Sequence, residues 1–259
     1  MADARMSPSI DLNCDMGESD DPARIGADSA LLSVVTSANI ACGGHAGDEA
    51  SMARTIRGAM ERGVAIGAHP SYPDRANFGR SEQDLSAEAI EATVAAQIGE
   101  LARVARSLGA KLSHVKPHGA LYHAAMTVPH VAGAIARAVG RLDRGLILVG
   151  LAGSPALACW ESLGFAVAAE AFADRRYEPD GSLRSRNKPD ALIDEASEAA
   201  RQALSIANGL GVMSIAGEVV QVRADTVCLH SDTPGAAALA RAIRRELERA
   251  GVAVRAIER

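Results

Sequence analysis

The feature that most restricts this chain is an alternation repeated along its length. Short apolar stretches finish in polar, often ionisable residues, and stretches with helical periodicity lie between them. Strand candidates are 9–15, 34–42, 63–70, the first part of 111–122, 145–150, 165–170 and 226–230, with pieces near 212–222 and a short one at 252–257. Helical patterns fall at about 26–33, after Asp48 through Met52, Ile56 and Met60, at 86–108, 127–139, 191–208, and after the Ser-Pro and Thr-Pro pairs at 154–155 and 233–234. Asp48, Ser154 and Thr233 are of the types that cap helices, and proline suits the first helical position. The strongest helix, 86–108, has its buried stripe on Ile90, Val94, Ile98, Leu101, Val104 and Leu108. Residues 145–150 are apolar throughout, as expected of a strand covered on both faces. This order favours a distorted β/α barrel of seven or eight strands. An open doubly wound sheet is the alternative, and period and length do not separate the two. No linker or shift in composition divides residues 1–259, which read as one domain.

In either architecture ligands meet the C-terminal ends of the strands. The residues falling there are Asp11, Asn13, Asp15, His45, His69, His114, Lys116, His118, Glu170, Asp174, Arg175, His230 and Asp232. Six of the seven histidines lie at or near a strand end. Asp11, Asn13 and Asp15 alternate with Leu12 and Cys14, which places three oxygen-bearing side chains on one face and Cys14 on the other. His114, Lys116 and His118 share a side in the same way, until Pro117 limits the ladder and Gly119 permits a turn. Imidazoles beside carboxylates suit two jobs, binding a divalent metal that activates water or general acid–base catalysis without one. An Asp11, His45 and His69 metal set fits the first. Lys116 and Arg175 either hold an anionic group or form salt bridges across the mouth. Glu170 and Asp174 either act as base and acid or orient those cations. The polar loop 71–84, with Tyr72, Asp74, Phe78 and Arg80, suits a lid over the mouth.

Composition narrows the partners. A formal net charge of -5 and 3% aromatic residues argue against nucleic acid, which calls for a basic patch and stacking surfaces. Four dispersed cysteines with no CxxC pair point to free thiols in a reducing compartment. No apolar stretch is long enough to span a bilayer and the first residues lack a signal-peptide core, so the cytoplasm is expected. No GxxxxGK[ST] loop or GxGxxG turn marks a nucleotide site.

The stretches DLNCDMGE (11–18), TSANIACGGHAGD (36–48), GVAIGAHPSYPD (63–74), HVKPHGALYH (114–123), EAFADRRYEPDGSLRSR (170–186) and CLHSDTPGA (228–236) closely resemble the LamB/YcsF family. The resemblance runs from Ile10 to about Gly251. It implies a distorted β/α barrel similar to carbohydrate deacetylases. It also implies the role of an A subunit of 5-oxoprolinase that, with its B and C partner subunits, cleaves 5-oxo-L-proline to L-glutamate at the expense of ATP, which carries a Mg ion. As site residues it implies Asp11, Asn13, His45, His69, Lys116, His118, Glu170, Asp174, Arg175 and His230. Asn13, Arg175 and His230 would bind substrate and the others would take part in catalysis. Gly44, Ser81, His123 and Ser231 depart from the family's usual Phe, Arg, Asn and Gly, without removing an ionisable candidate. A stand-alone metal-dependent amide hydrolase or deacetylase, and a non-catalytic protein that only binds the substrate for its partners, are the competing readings.

Overall fold

A computed structural model describes residues 8–229, 231 and 235–259. Seven parallel strands close into a barrel: β1 (Ser9–Met16), β2 (Ser37–Ala41), β3 (Ala65–His69), β4 (His114–Val115), β5 (Ile147–Leu151), β6 (Val167–Phe172) and β9 (Thr226–Leu229), the last pairing back onto β1. Closure rules out the open sheet. Between β6 and β9 a two-stranded antiparallel ribbon, β7 (Val212–Met213) and β8 (Val219–Val220), lies outside the barrel. After β9, β10 (Ala253–Val254) adds to the start of β1.

The helices form the outer layer. They are α1 (Pro22–Leu31), α2 (Glu49–Arg62), α3 (Ala87–Ser107), α4 (Gly119–Thr127), α5 (Pro129–Leu142), α6 (Pro155–Ser162), α7 (Ala196–Ala207) and α8 (Ala236–Arg249). The main core lies between helices and barrel. Strand residues Leu12, Cys14, Ile40, Ile66, Val115, Leu148 and Val227 meet helix residues such as Ile56, Ile98, Ile135 and Ile243 there. Burial of these side chains stabilises the fold by about 25 cal/mol per Å² of apolar surface removed from water. Cys14 takes the outward, buried position that its parity predicts.

Local expectations fail where the punctuation of the chain misleads. The helix expected at 26–33 begins at Pro22, because Asp21 accepts from Ala23 N and Pro22 occupies the first turn. The helix expected at 127–139 is two, broken where Val128 turns extended ahead of Pro129. Met60 is 44% exposed, off the buried stripe of α2. Ser154 precedes α6 but makes no side-chain cap. Asp48 does cap α2, in a reciprocal box with Ser51. His230, Asp232 and the Thr-Pro pair 233–234 lie outside the described residues. Among the described residues no helix is long and apolar enough to cross a membrane.

Candidate functional site

β1 divides the polar groups inside the barrel into three depths. At the lowest, Asp11 accepts hydrogen bonds from Thr36 Oγ1 (2.6 Å), Ser37 Oγ (2.7 Å) and Thr226 Oγ1. Burial raises its pKa, and the three hydroxyls offset only part of that rise.

At the middle depth, Asn13 Nδ2 donates to Glu170 Oε1 (3.0 Å) and Thr226 Oγ1 (2.7 Å). Asn39 Nδ2 donates to Asn13 Oδ1 and Asp15 Oδ1, both at 2.8 Å. That uses both amide protons of Asn39, so its Oδ1 accepts from His114 Nε2 at 2.8 Å. His114 is a neutral member of this network, its pKa driven to about 3 by burial and then by Lys116. Gly67 makes room for the ring: a Cβ there would sit 2.0 Å from His114 Nε2.

Lys116 follows β4 yet meets residues of β1, β6 and β9, none of them neighbours of β4 in the sheet. Only a path across the interior allows this. Its Nζ donates to Asp15 Oδ1 (2.9 Å), Glu170 Oε1 (2.8 Å) and Cys228 Sγ (3.1 Å), and the residue is 3% exposed. Burial opposes the charge, but Asp15, then Cys228 and Glu170, outweigh it, and the ammonium holds its proton well above the ordinary lysine range. Tyr122 donates its hydroxyl to Glu170 Oε2 at 2.9 Å.

At the mouth, Glu18, His45, His69 and His118 bring one ligand-type atom each within 4.8 Å of one another, an arrangement that could hold a metal ion. His45 and His118 stack with centroids 3.7 Å apart, and Phe78 of the loop 71–84 packs edge-on against both. Burial, then His69, drives the pKa of His45 to about 2, and burial, then His69 and His45, drives that of His118 to about 3. His69 goes the other way. Burial pulls its pKa down, but the Asp15 carboxylate, 3.2 Å from Nε2, more than compensates.

Above these groups lies a cavity of about 1020 Å³, lined among others by Asp15, Glu18, His69, Lys116, His118 and Arg175. Residues Tyr72, Arg80 and Glu82 of the loop 71–84 form part of its wall, where a lid would stand. Arg175 donates to the carbonyl of Arg184 (2.6 Å) while its Nε is buried without a hydrogen-bond partner. Burial, then Arg186, lowers its pKa.

The structure therefore gathers His45, His69, Lys116, His118, Glu170, Asn13 and Arg175 at or just beneath one mouth. It corrects the metal set: Asp11 is not among the clustered ligand atoms, because parity fixes its face but not its depth. Asp174 is fully buried and outside the cavity wall, one residue from the Arg175 that reaches it. His230 lies outside the described residues. Sequence reasoning misses Glu18 because Gly17, with φ of 73°, breaks the strand alternation and turns the next side chain inward. The motif 11–18 contains the only signal for it. Tyr122, Asn39 and Cys228 also escape it, being uncharged groups whose role depends on tertiary contacts.

Comparison with known proteins agrees with this geometry. The chain matches the LamB/YcsF family over residues 10–259. It is 54% identical to the 5-oxoprolinase A subunit of Chloroflexus aggregans over 247 residues, 95% of this chain and 98% of that one. It is 52% identical to the protein of the same name from Methylococcus capsulatus, covering 97% of each. Its fold superposes on the lactam utilization protein from Thermus thermophilus with a TM-score of 0.90 and 44% identity, over 96% of this chain and 100% of that one. A family 4 carbohydrate esterase from Streptomyces lividans, at 12% identity and a TM-score of 0.50 over 97% of this chain and 93% of the esterase, shares the fold alone. With the barrel from Ile10 onward and every motif of the mouth inside the matched span, the chain belongs to the LamB/YcsF family.

Proposed function

We propose that this chain is the A subunit of an ATP-dependent 5-oxoprolinase, which opens 5-oxo-L-proline to L-glutamate together with B and C subunits. The observation that carries this reading is the near-full-length identity, 54%, to a protein of that name. The cavity supplies suitable chemistry. The substrate is a resonance-stabilised lactam bearing a carboxylate. Arg175, whose guanidinium-bearing side chain lines the cavity, suits that carboxylate. ATP, with its Mg ion, phosphorylates the amide oxygen and makes the ring carbon electrophilic. Lys116, held between Asp15 and Glu170, offsets negative charge developing at that oxygen. Asp15 is the carboxylate of β1 that lines the cavity. It accepts a proton from the attacking water and returns it to the ring nitrogen as the C–N bond breaks. A second water then releases phosphate from the acyl phosphate. Asn13 and Glu170 hold Lys116 and Asp15 in place from below. Residues 1–259 act as one domain in this reading, in the cytoplasm.

The test is reconstitution of the three-subunit complex, withholding ATP and 5-oxoproline in turn while glutamate is measured. Glutamate should require both, and Lys116→Ala should cut turnover about 100-fold or more. Unchanged turnover in that variant removes Lys116 from the chemistry and favours a protein that only binds substrate. Amide hydrolysis by the isolated chain without ATP points instead to a metal-dependent hydrolase, the reading that the His/Glu cluster favours.

A further inference from the structure

Two imidazoles at the mouth face each other, each held by a backbone carbonyl on its outer nitrogen. His69 Nδ1 lies 2.8 Å from the carbonyl oxygen of Lys116, and His118 Nε2 lies 2.9 Å from that of Phe78. A carbonyl only accepts, so each of these outer nitrogens carries a proton. The inner nitrogens, His69 Nε2 and His118 Nδ1, are 3.0 Å apart. Something positive must lie between them: either a second proton on His69, which the Asp15 carboxylate favours, or a cation. Negative charge converges on the same point: Glu18 Oε1 is 3.6 Å from His118 Nδ1 and 2.9 Å from His45 Nε2, and Asp15 Oδ2 is 3.2 Å from His69 Nε2. His45 has no carbonyl fixing its tautomer, since its Nδ1 is buried without a hydrogen-bond partner. Its Nε2 hydrogen-bonds Glu18 Oε1 at 2.9 Å, and moving the ring proton to the unpartnered Nδ1 frees that nitrogen for a cation. Phe78 is the one non-glycine residue among those described with a positive φ, 56°, and it carries the carbonyl that aims His118. Backbone strain is placed where it orients a ring.

We propose that Glu18, His45, His69 and His118 form the binding site of a divalent transition-metal ion. Three imidazole nitrogens and one carboxylate oxygen suit zinc or cobalt, whereas magnesium takes oxygen ligands and keeps its water. The site is therefore separate in kind from the Mg that accompanies ATP. Carbonyl hydrogen bonds on the outer nitrogens are the usual means of fixing metal-bound imidazoles. Glu18, His69 and His118 line the cavity beside Lys116, so the ion would act there as a Lewis acid toward a carbonyl or a water. The inference does not rest on the proposed reaction: the ion would bind whichever amide is opened.

The rival arrangement is a single proton shared among His69, His118 and Asp15, and it binds no metal. Chelator-stripped protein titrated with Co(II) should take up one ion per chain and develop the visible absorption of a low-coordinate nitrogen-rich site. Zinc should displace the cobalt and millimolar magnesium should not. Glu18→Gln and His118→Gln should each weaken Co(II) binding at least about tenfold, and Asp11→Asn should leave it unchanged. The proposal fails if stripped wild-type protein, with its melting transition intact, binds no Co(II). It also fails if binding survives both ligand substitutions.

Discussion

Asp11 and Asp15 stand on the same face of the same strand, about 13 Å apart at the usual rise of a strand, and they live in different chemical worlds. At the lower end, Asp11 is enclosed by the hydroxyls of Thr36, Ser37 and Thr226. The interior beside it is apolar, with Ile147, Val149 and Ala168 packed against Ile257 of the tail. At the upper end, Asp15 meets the Lys116 ammonium and His69 and lines the cavity. Three hydroxyls hold Asp11 in a closed hydrogen-bond set, and the cleft of about 360 Å³ at that end, lined among others by Asp11, Ile147, Ala168 and Ile257, contains none of the imidazole or lysine groups of the mouth. Ions that balance one another across the barrel keep charge at the surface of a cavity, which is what chemistry on an anionic lactam needs.

The sharpest way to break this contrast is to remove the cation. Lys116→Met leaves Asp15 and Glu170 facing each other without a counter-ion, and the loss of stability should be about 3–5 kcal/mol. A melting transition within a degree or two of wild type would show that the upper end is held by packing and not by charge. The double variant with Glu170→Gln should recover part of the loss, since one buried carboxylate is then neutral. Next in size is the paired test of the two acids. Asp15→Asn should lower turnover of the reconstituted complex about 100-fold, with a smaller loss of stability than Lys116→Met because Glu170 still pairs the ammonium. Asp11→Asn should do the reverse, costing about 1–3 kcal/mol of stability through a disrupted buried hydrogen-bond set while turnover stays near wild type. Equal turnover losses in the two variants would erase the distinction between the ends.

How far the sequence alone can see this follows from the same strand. Alternation places Asp11, Asn13 and Asp15 on one face, and that reading holds. A period of two says nothing about depth, so it leaves Asp11 grouped with His45 and His69, which sit at the far end of the barrel. The strand–helix order makes a barrel the favoured fold, but period and length leave an open sheet in play. The contact between Thr226–Leu229 and β1 that decides it joins residues remote in sequence. Lys116 is visible as a charge at a strand end, while its partners Glu170 and Cys228 come from strands that β4 never touches. Glu18 escapes because it follows the glycine at which strand periodicity stops.

The smallest expected effect concerns the turn that delivers Glu18 to the mouth. Asp28 of α1 accepts from Gly17 N at 3.0 Å, fixing the backbone between Asp15 and Glu18. Burial raises its pKa to about 6, a rise that the Gly17 hydrogen bond only partly offsets. An aspartate in the unfolded chain titrates near ~3.9. Between those two values the folded protein therefore binds more protons than the unfolded one, and stability falls as pH rises through that window, then stays level above it. Asparagine keeps an oxygen for Gly17 N but does not titrate, so Asp28→Asn should remove about 1 kcal/mol of this pH dependence after allowance for solvent. Chemical denaturation of wild type and variant from pH 4 to 7 reads it directly. Parallel stability curves would mean that Asp28 is ionised throughout and that the turn is no drier than the surface. The same measurement on Asp11→Asn compares the lower end, where burial also raises the pKa. A slope confined to one of the two variants shows which end of the strand excludes water more completely.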